Sequence, residues 1–153
     1  MAHVRVFASV EELRAAVGED LGPSPWLPVE QKRVDLFAEA TGDHQWIHVD
    51  PEKAARGPFG GTIAHGYLTL SLIPALMPEL MRVEGVRMGV NYGVNKVRFP
   101  APVPVGSHLR ASARISEVTE VDGGVQLVTQ VTIEREGGTK PVCVAETVAR
   151  FYL

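Results

Sequence analysis

The stretch Ile63-Ala64-His65-Gly66-Tyr67-Leu68-Thr69-Leu70-Ser71-Leu72-Ile73-Pro74-Ala75-Leu76-Met77-Pro78-Glu79-Leu80 is an almost continuous apolar run. A surface helix carries an apolar stripe on one side, whereas a helix that is apolar nearly all round is buried. The run therefore reads as a buried central helix. Pro74 and Pro78 put a kink or an early end near residues 75–78, since proline donates no amide and its ring clashes with the preceding turn. Downstream, from Gly85 onward, β-branched residues dominate, with turn signals near Pro100 to Pro104, at Asp122-Gly123-Gly124 and at Gly137-Gly138. These divide the second half into at least four strands, read as a meander. Residues 108–118, 125–135 and 142–152 alternate well enough to bury one face and leave the other wet. The simplest packing is α+β: an antiparallel β-sheet wrapped around a long central helix.

Upstream the pattern is helical. Ser9-Val10-Glu11-Glu12 combines a serine cap with a glutamate three residues on, and Gly18 and Gly22-Pro23 close that helix. Trp26-Leu27-Pro28-Val29 reads as a short strand. Residues 31–41 carry Val34, Phe37 and Ala38 at helical spacing and stop at Gly42. Pro51 opens a helix of one to two turns. Gly57-Pro58-Phe59-Gly60-Gly61 reads as a flexible loop and a candidate lid. The domain reading is one unit over residues 1–153, with residues 1–22 as an N-terminal helical extension.

Composition narrows the class. A hydrophobic fraction of 45% and a charged fraction of 22% are those of a globular protein. No run reaches the ~18 apolar residues of a membrane span. A net charge of -3 supplies no footprint for nucleic acid. The first six residues lack the layout of a secretory signal, and Cys143 is the single cysteine, so the expected location is cytoplasmic. Cys143 lies in an alternating apolar segment and reads as a buried structural thiol.

Chemistry concentrates in Gly42-Asp43-His44-Gln45-Trp46-Ile47-His48-Val49-Asp50-Pro51, read as a polar loop between helices. Asp43 and His48 across a turn can touch one water and share the taking and giving of its protons. The alternative is that Asp43 caps the turn and His48 is a satisfied, semi-buried histidine. His44 reads as solvent-facing. Asp43, His44, His48, Asp50 and His65 are all acceptable metal ligands, but their spacing fits a metal site poorly, and none is expected. Gly66 opens the central helix, where amides point outward and could receive an enolate oxygen; it could equally be a glycine that permits tight packing. Lys96 and Arg98, two apart on a strand, face the same side and suit either an anion or solvent.

The pattern Thr41-Gly42-Asp43-x-Gln45-x-Ile47-His48-x-Asp50-Pro51, followed by Ile63-Ala64-His65-Gly66 and by Asn95-Lys96-Val97-Arg98-Phe99-Pro100-x-Pro102-Val103, resembles the MaoC-like, R-specific enoyl-CoA hydratases, in their short NodN-like branch. The resemblance implies a hot-dog fold and catalytic roles for Asp43 and His48, with Gly66 as the oxyanion-hole glycine. Gln45 and His65 become second-tier residues for positioning water or substrate, and Lys96 and Arg98 candidates for the coenzyme A phosphates. The implied reaction is syn addition of water to a trans-2-enoyl thioester in fatty acid metabolism, and its reverse dehydration, with no cofactor beyond the coenzyme A or acyl-carrier thioester that is the substrate. A homodimer is implied, with no nucleic acid and no membrane as partners. Rival readings are a hot-dog thioesterase and a non-catalytic acyl-thioester-binding subunit. Two departures from the family pattern stand out: Gln45-Trp46 replaces Asn-Pro, and Pro74 stands where some relatives carry serine.

Overall fold

The structure, a computed structural model, describes residues 3–153. Met1 and Ala2, part of the segment read as lacking a secretory layout, lie outside the described residues. β1 (Arg5–Phe7) leads into α1 (Val10–Ala15). Its cap is the predicted one: Ser9 Oγ accepts from the Glu12 amide at 3.2 Å, and the Glu12 carboxylate accepts from the Ala8 amide at 2.6 Å. β2 (Asp20–Leu21) and β3 (Leu27–Pro28) follow, so the N-terminal segment is not purely helical. Its alternation was too short to read as strand. β1 pairs in parallel with Met81–Val83, and β2 and β3 both pair with the strand His108–Val121. A short segment of this kind gains its strand geometry from a distant partner, which local patterning cannot reveal.

α2 (Gln31–Thr41) ends at Gly42, whose φ of 79° is the left-handed closure that glycine adopts without strain. The following loop contains a one-turn helix, α3 (Trp46–Val49), before α4 (Pro51–Ala55), which Asp50 caps by accepting from the Lys53 amide at 3.1 Å. His48 is therefore on a helical turn rather than on an open loop.

The central helix is present in two pieces, α5 (Gly66–Ser71) and α6 (Ile73–Leu76), followed by a 3₁₀ turn at Met77–Glu79. The break falls at Leu72, earlier than residues 75–78, because Pro74 has no amide to bond the Leu70 carbonyl and its ring crowds that turn. Nor is the helix buried all round. Leu68, Leu72, Ile73 and Leu76 are buried, whereas Tyr67 is 72% exposed and Ser71, Pro74 and Ala75 are exposed.

After β4 (Met81–Val83) come β5 (Met88–Arg98), β6 (His108–Val121), β7 (Gly124–Arg135) and β8 (Cys143–Tyr152). β6, β7 and β8 form the expected meander, but β5 pairs with β8 and not with its sequence neighbour, giving the order β2-β6-β7-β8-β5. The concave face carries Leu109, Ile115, Leu127 and Ile133, which join Leu68, Leu72 and Leu76 and the N-terminal Phe7 and Leu13 in one hydrophobic cluster. This sheet over a central helix is the hot-dog arrangement.

Cys143 is 0% exposed, and burial pushes its thiol from the ordinary 9.0 up to about 11. As pH rises past 9.0 the unfolded chain sheds this proton first. Between 9.0 and about 11 the folded form therefore holds more protons, and stability falls with rising pH. The contribution is complete below 9.0. Cys143→Ala is expected to flatten the decline of melting temperature over that range relative to the parent protein; parallel curves would show that the thiol contributes nothing to it.

Candidate active site

The turn after α2 fixes Asp43. Thr41 Oγ donates to the Phe37 carbonyl at 2.7 Å and accepts from the Asp43 amide at 3.4 Å, while Asp43 Oδ1 accepts from the Gln45 amide at 3.3 Å. The carboxylate is thus an Asx-turn acceptor on one oxygen. The residue remains exposed, so its second oxygen can meet water.

His48 is 7% exposed, and its Nδ1 lies 2.7 Å from the Ile63 carbonyl. A carbonyl can only accept, so Nδ1 carries the proton and Nε2 presents a lone pair. His65, 3% exposed, donates from Nε2 to the Asp43 carbonyl at 3.0 Å. Its Nδ1 is buried without a partner among the described residues. The two imidazoles stack at 3.8 Å between centroids, 23° from parallel, and Phe37 covers His65 at 4.9 Å. One acceptor or donor atom from each of Asp43, His48 and His65 falls within 4.8 Å of the others.

Of the five candidate metal ligands, the fold gathers only these three. His44 faces Glu39 at 3.4 Å, and Asp50 is occupied as a helix cap. Stacked imidazoles suit a shared ion poorly, since each lone pair lies in its ring plane and two nearly parallel planes do not converge at the ~2.0–2.1 Å that a metal requires. The same cluster suits proton transfer, which needs one neutral imidazole nitrogen and one carboxylate near a common water.

Gly66 is the first residue of α5, and its amide finds no backbone acceptor among the described residues. A Cβ added there would stand 2.9 Å from Cδ2 of Phe99. The packing role considered for this glycine is therefore real, and its partner is Phe99, the residue after Arg98. The end of β5 thus reaches the helix entry. Lys96 and Arg98 lie there, both exposed and in unbroken register on one face.

Gln45 is exposed at the rim, and its carbonyl accepts from the His48 amide at 3.0 Å. Trp46 turns away: Lys53 Nζ lies 4.8 Å from its ring, and Gly57 lies so close beneath that a Cβ there would stand 2.8 Å from the indole. The first residue of the glycine-rich loop is accordingly packed.

Gln31 and Thr62 escaped the sequence reading. Gln31 donates to the His48 carbonyl at 2.8 Å and to Asp35 Oδ1 at 3.0 Å, and it accepts from Thr62 Oγ at 2.7 Å. A glutamine at a helix start looks solvated in sequence, and the only local signal is Asp35 one turn on.

Further along the central helix, Leu70, Ile73 and Met77 recur at helical spacing, and they line an open cavity of about 920 Å³ whose other walls come from β5, β7 and β8.

A sheet wrapped over a central helix, with Asp43, His48 and His65 gathered at one place, is a hot-dog protein with a candidate acid–base site. The chain belongs to the MaoC like domain family, which it matches over residues 12–137. It is 55% identical to the 3-hydroxyacyl-thioester dehydratase Z of Mycobacterium tuberculosis (strain H37Rv), across 97% of this chain and 99% of that one. With the Nodulation protein N of Rhizobium leguminosarum bv. viciae it shares 44% identity, covering 92% and 89% of the two chains. The solved (R)-hydratase from A. caviae involved in PHA biosynthesis superposes with a TM-score of 0.66 at 26% identity, covering 87% of this chain and 94% of that one.

Proposed function

We propose that this enzyme is an (R)-specific enoyl-thioester hydratase and, in reverse, a 3-hydroxyacyl-thioester dehydratase of fatty acid metabolism. The observation that carries the proposal is the tautomer imposed on His48: its Nδ1 proton is tied to the Ile63 carbonyl, leaving Nε2 free to act as the base, in a ring one nitrogen of which lies within 4.8 Å of an Asp43 carboxylate oxygen. A water held between them loses a proton to Nε2 while its oxygen bonds to C3. The π electrons move through C2 to the thioester oxygen, which the Gly66 amide receives, and the dyad returns a proton to C2 on the same face. Asp43 balances the imidazolium formed in between. Gln45 at the rim and buried His65, which props the Asp43 backbone, support this geometry. Lys96 and Arg98 supply positive charge for the coenzyme A phosphates at the end of β5 that meets Gly66.

The test is loss of the conjugated-enoyl absorbance of crotonyl-CoA, with the configuration at C3 read by a stereospecific dehydrogenase. An R product without free thiol supports the reading; free thiol would make the protein a thioesterase, and no change a binding subunit. The cavity that begins at Leu70, one turn after Gly66, is assigned in this proposal to the acyl chain, so Leu70→Trp is expected to reduce kcat/KM for an eight-carbon enoyl-CoA at least ~10-fold more than for crotonyl-CoA. Equal losses would place the chain elsewhere.

The assembly in this proposal is a homodimer. Among the described residues β5 is paired only with β8, and Met88, Val90, Tyr92 and Val94 are exposed along it, an edge that a second copy would cover. Val90 and Val94 also line the cavity, so a partner would help close it. Tyr92→Arg is expected to yield monomers by light scattering; an unchanged mass would exclude this edge. No helix among the described residues is long and apolar enough to cross a membrane, and a cytoplasmic location accords with the single buried cysteine.

A further inference from the structure

We propose that Gln31 is a positioning residue that sets the direction of the His48 imidazole by clasping both ends of the segment that holds it. The inference rests on the hydratase reading for its kinetic readout, although not for its structural one. Both N–H groups of the Gln31 amide are committed, one to the His48 carbonyl at 2.8 Å and one to Asp35 Oδ1 at 3.0 Å. Its oxygen takes the Thr62 hydroxyl at 2.7 Å. The orientation of this amide is dictated by its partners, because the His48 carbonyl can only accept. Thr62 immediately precedes Ile63, the residue whose carbonyl holds His48 Nδ1. One planar group therefore ties the His48 backbone to the chain that fixes the tautomer and plane of the His48 ring.

The need for such a clasp follows from α3. Four residues cannot sustain a helix alone: the Trp46 carbonyl takes the Asp50 amide at 3.1 Å and the Ile47 carbonyl the Ile63 amide at 3.0 Å, and the His48 carbonyl is held by Gln31. Asp35, one turn along α2, holds the Gln31 rotamer in place. A displacement of about 1 Å of a catalytic group can cost ~100-fold in rate, so looseness at this joint would be felt in the chemical step.

The test uses Gln31→Met in the full-length protein, a change that keeps the length of the side chain but removes its polar bonds. Assayed on crotonyl-CoA well below its melting temperature, it is expected to lose ~10- to 30-fold in kcat with KM within ~3-fold. Thr62→Val should fall in the same direction, Thr62→Ser should remain close to the parent, and the double variant Gln31→Met/Thr62→Val should be no worse than Gln31→Met alone. In ¹⁵N-histidine spectra the hydrogen-bonded Nδ1 proton of His48 should broaden or vanish in Gln31→Met. Unchanged kcat, fully additive losses, or a kcat decline recovered by cooling to refold the variant would each overturn the proposal. If the parent protein does not hydrate crotonyl-CoA, the hydratase reading fails separately, and an unaltered His48 Nδ1 signal in Gln31→Met would still overturn the clasp.

Discussion

His48→Gln and Asp43→Asn are each expected to lower turnover of crotonyl-CoA by at least ~100-fold while the melting temperature stays close to that of the parent, the scale of a positioned acid or base. Glutamine can keep a hydrogen bond to the Ile63 carbonyl, but it has no nitrogen that accepts a proton, so the water is held and not activated. Asparagine at position 43 keeps one acceptor for the Gln45 amide, and its backbone carbonyl still serves His65. The rest of the cluster therefore survives while the negative charge that balances the imidazolium is lost. Because the two groups handle one water, the double variant should be little worse than either single variant. Steady-state kinetics on all three, with melting curves, checks this, and near-normal activity in either single variant would remove that residue from the dyad.

Gly66→Ala separates the two roles of that glycine. The added methyl would stand 2.9 Å from the Phe99 ring, which also meets the exposed Tyr67 ring edge-on at 6.2 Å. Overpacking of this kind costs about 1–3 kcal/mol where the neighbour cannot move. In the proposed mechanism the methyl would also narrow the approach of the thioester oxygen to the amide, and loss of an oxyanion donor costs ~10²- to 10³-fold in kcat. Phe99→Ala supplies the distinction. Combined with Gly66→Ala it is expected to restore the melting temperature and to leave turnover low, because room for the methyl on the Phe99 side does not reopen the side facing substrate. Recovery of both stability and turnover in the double variant would reduce Gly66 to a packing glycine.

Much of this was legible in the chain. The Ser9 cap, the stop of α2 at Gly42, Pro51 at the start of α4 and the glycine turns between β6, β7 and β8 each depend on residues a few positions apart, which is the range over which caps and turns act. The spacing from Asp43 to His48 and the His65-Gly66 pair pointed to the site for a similar reason: a tight turn fixes its own geometry. What escaped was long-range. Pro74 breaks the helix at Leu72 instead of after Ala75, although the proline itself was plain to see. The strands β1, β2 and β4 are two or three residues long and exist only through their pairing.

The sequence by itself determined the local grammar of this protein: which segments turn, where helices start and stop, which strand faces are apolar, and which side chains are candidates for chemistry. Only the tertiary structure decided that β5 crosses to the far edge beside β8, that His48 is protonated on Nδ1, that Phe99 presses on Gly66, and that Gln31 reaches His48 across 17 positions. Propensity, capping and turn chemistry are set by neighbours along the chain. Tautomers, orphaned polar atoms and strand order are set by groups that become neighbours only once the apolar surface has been buried.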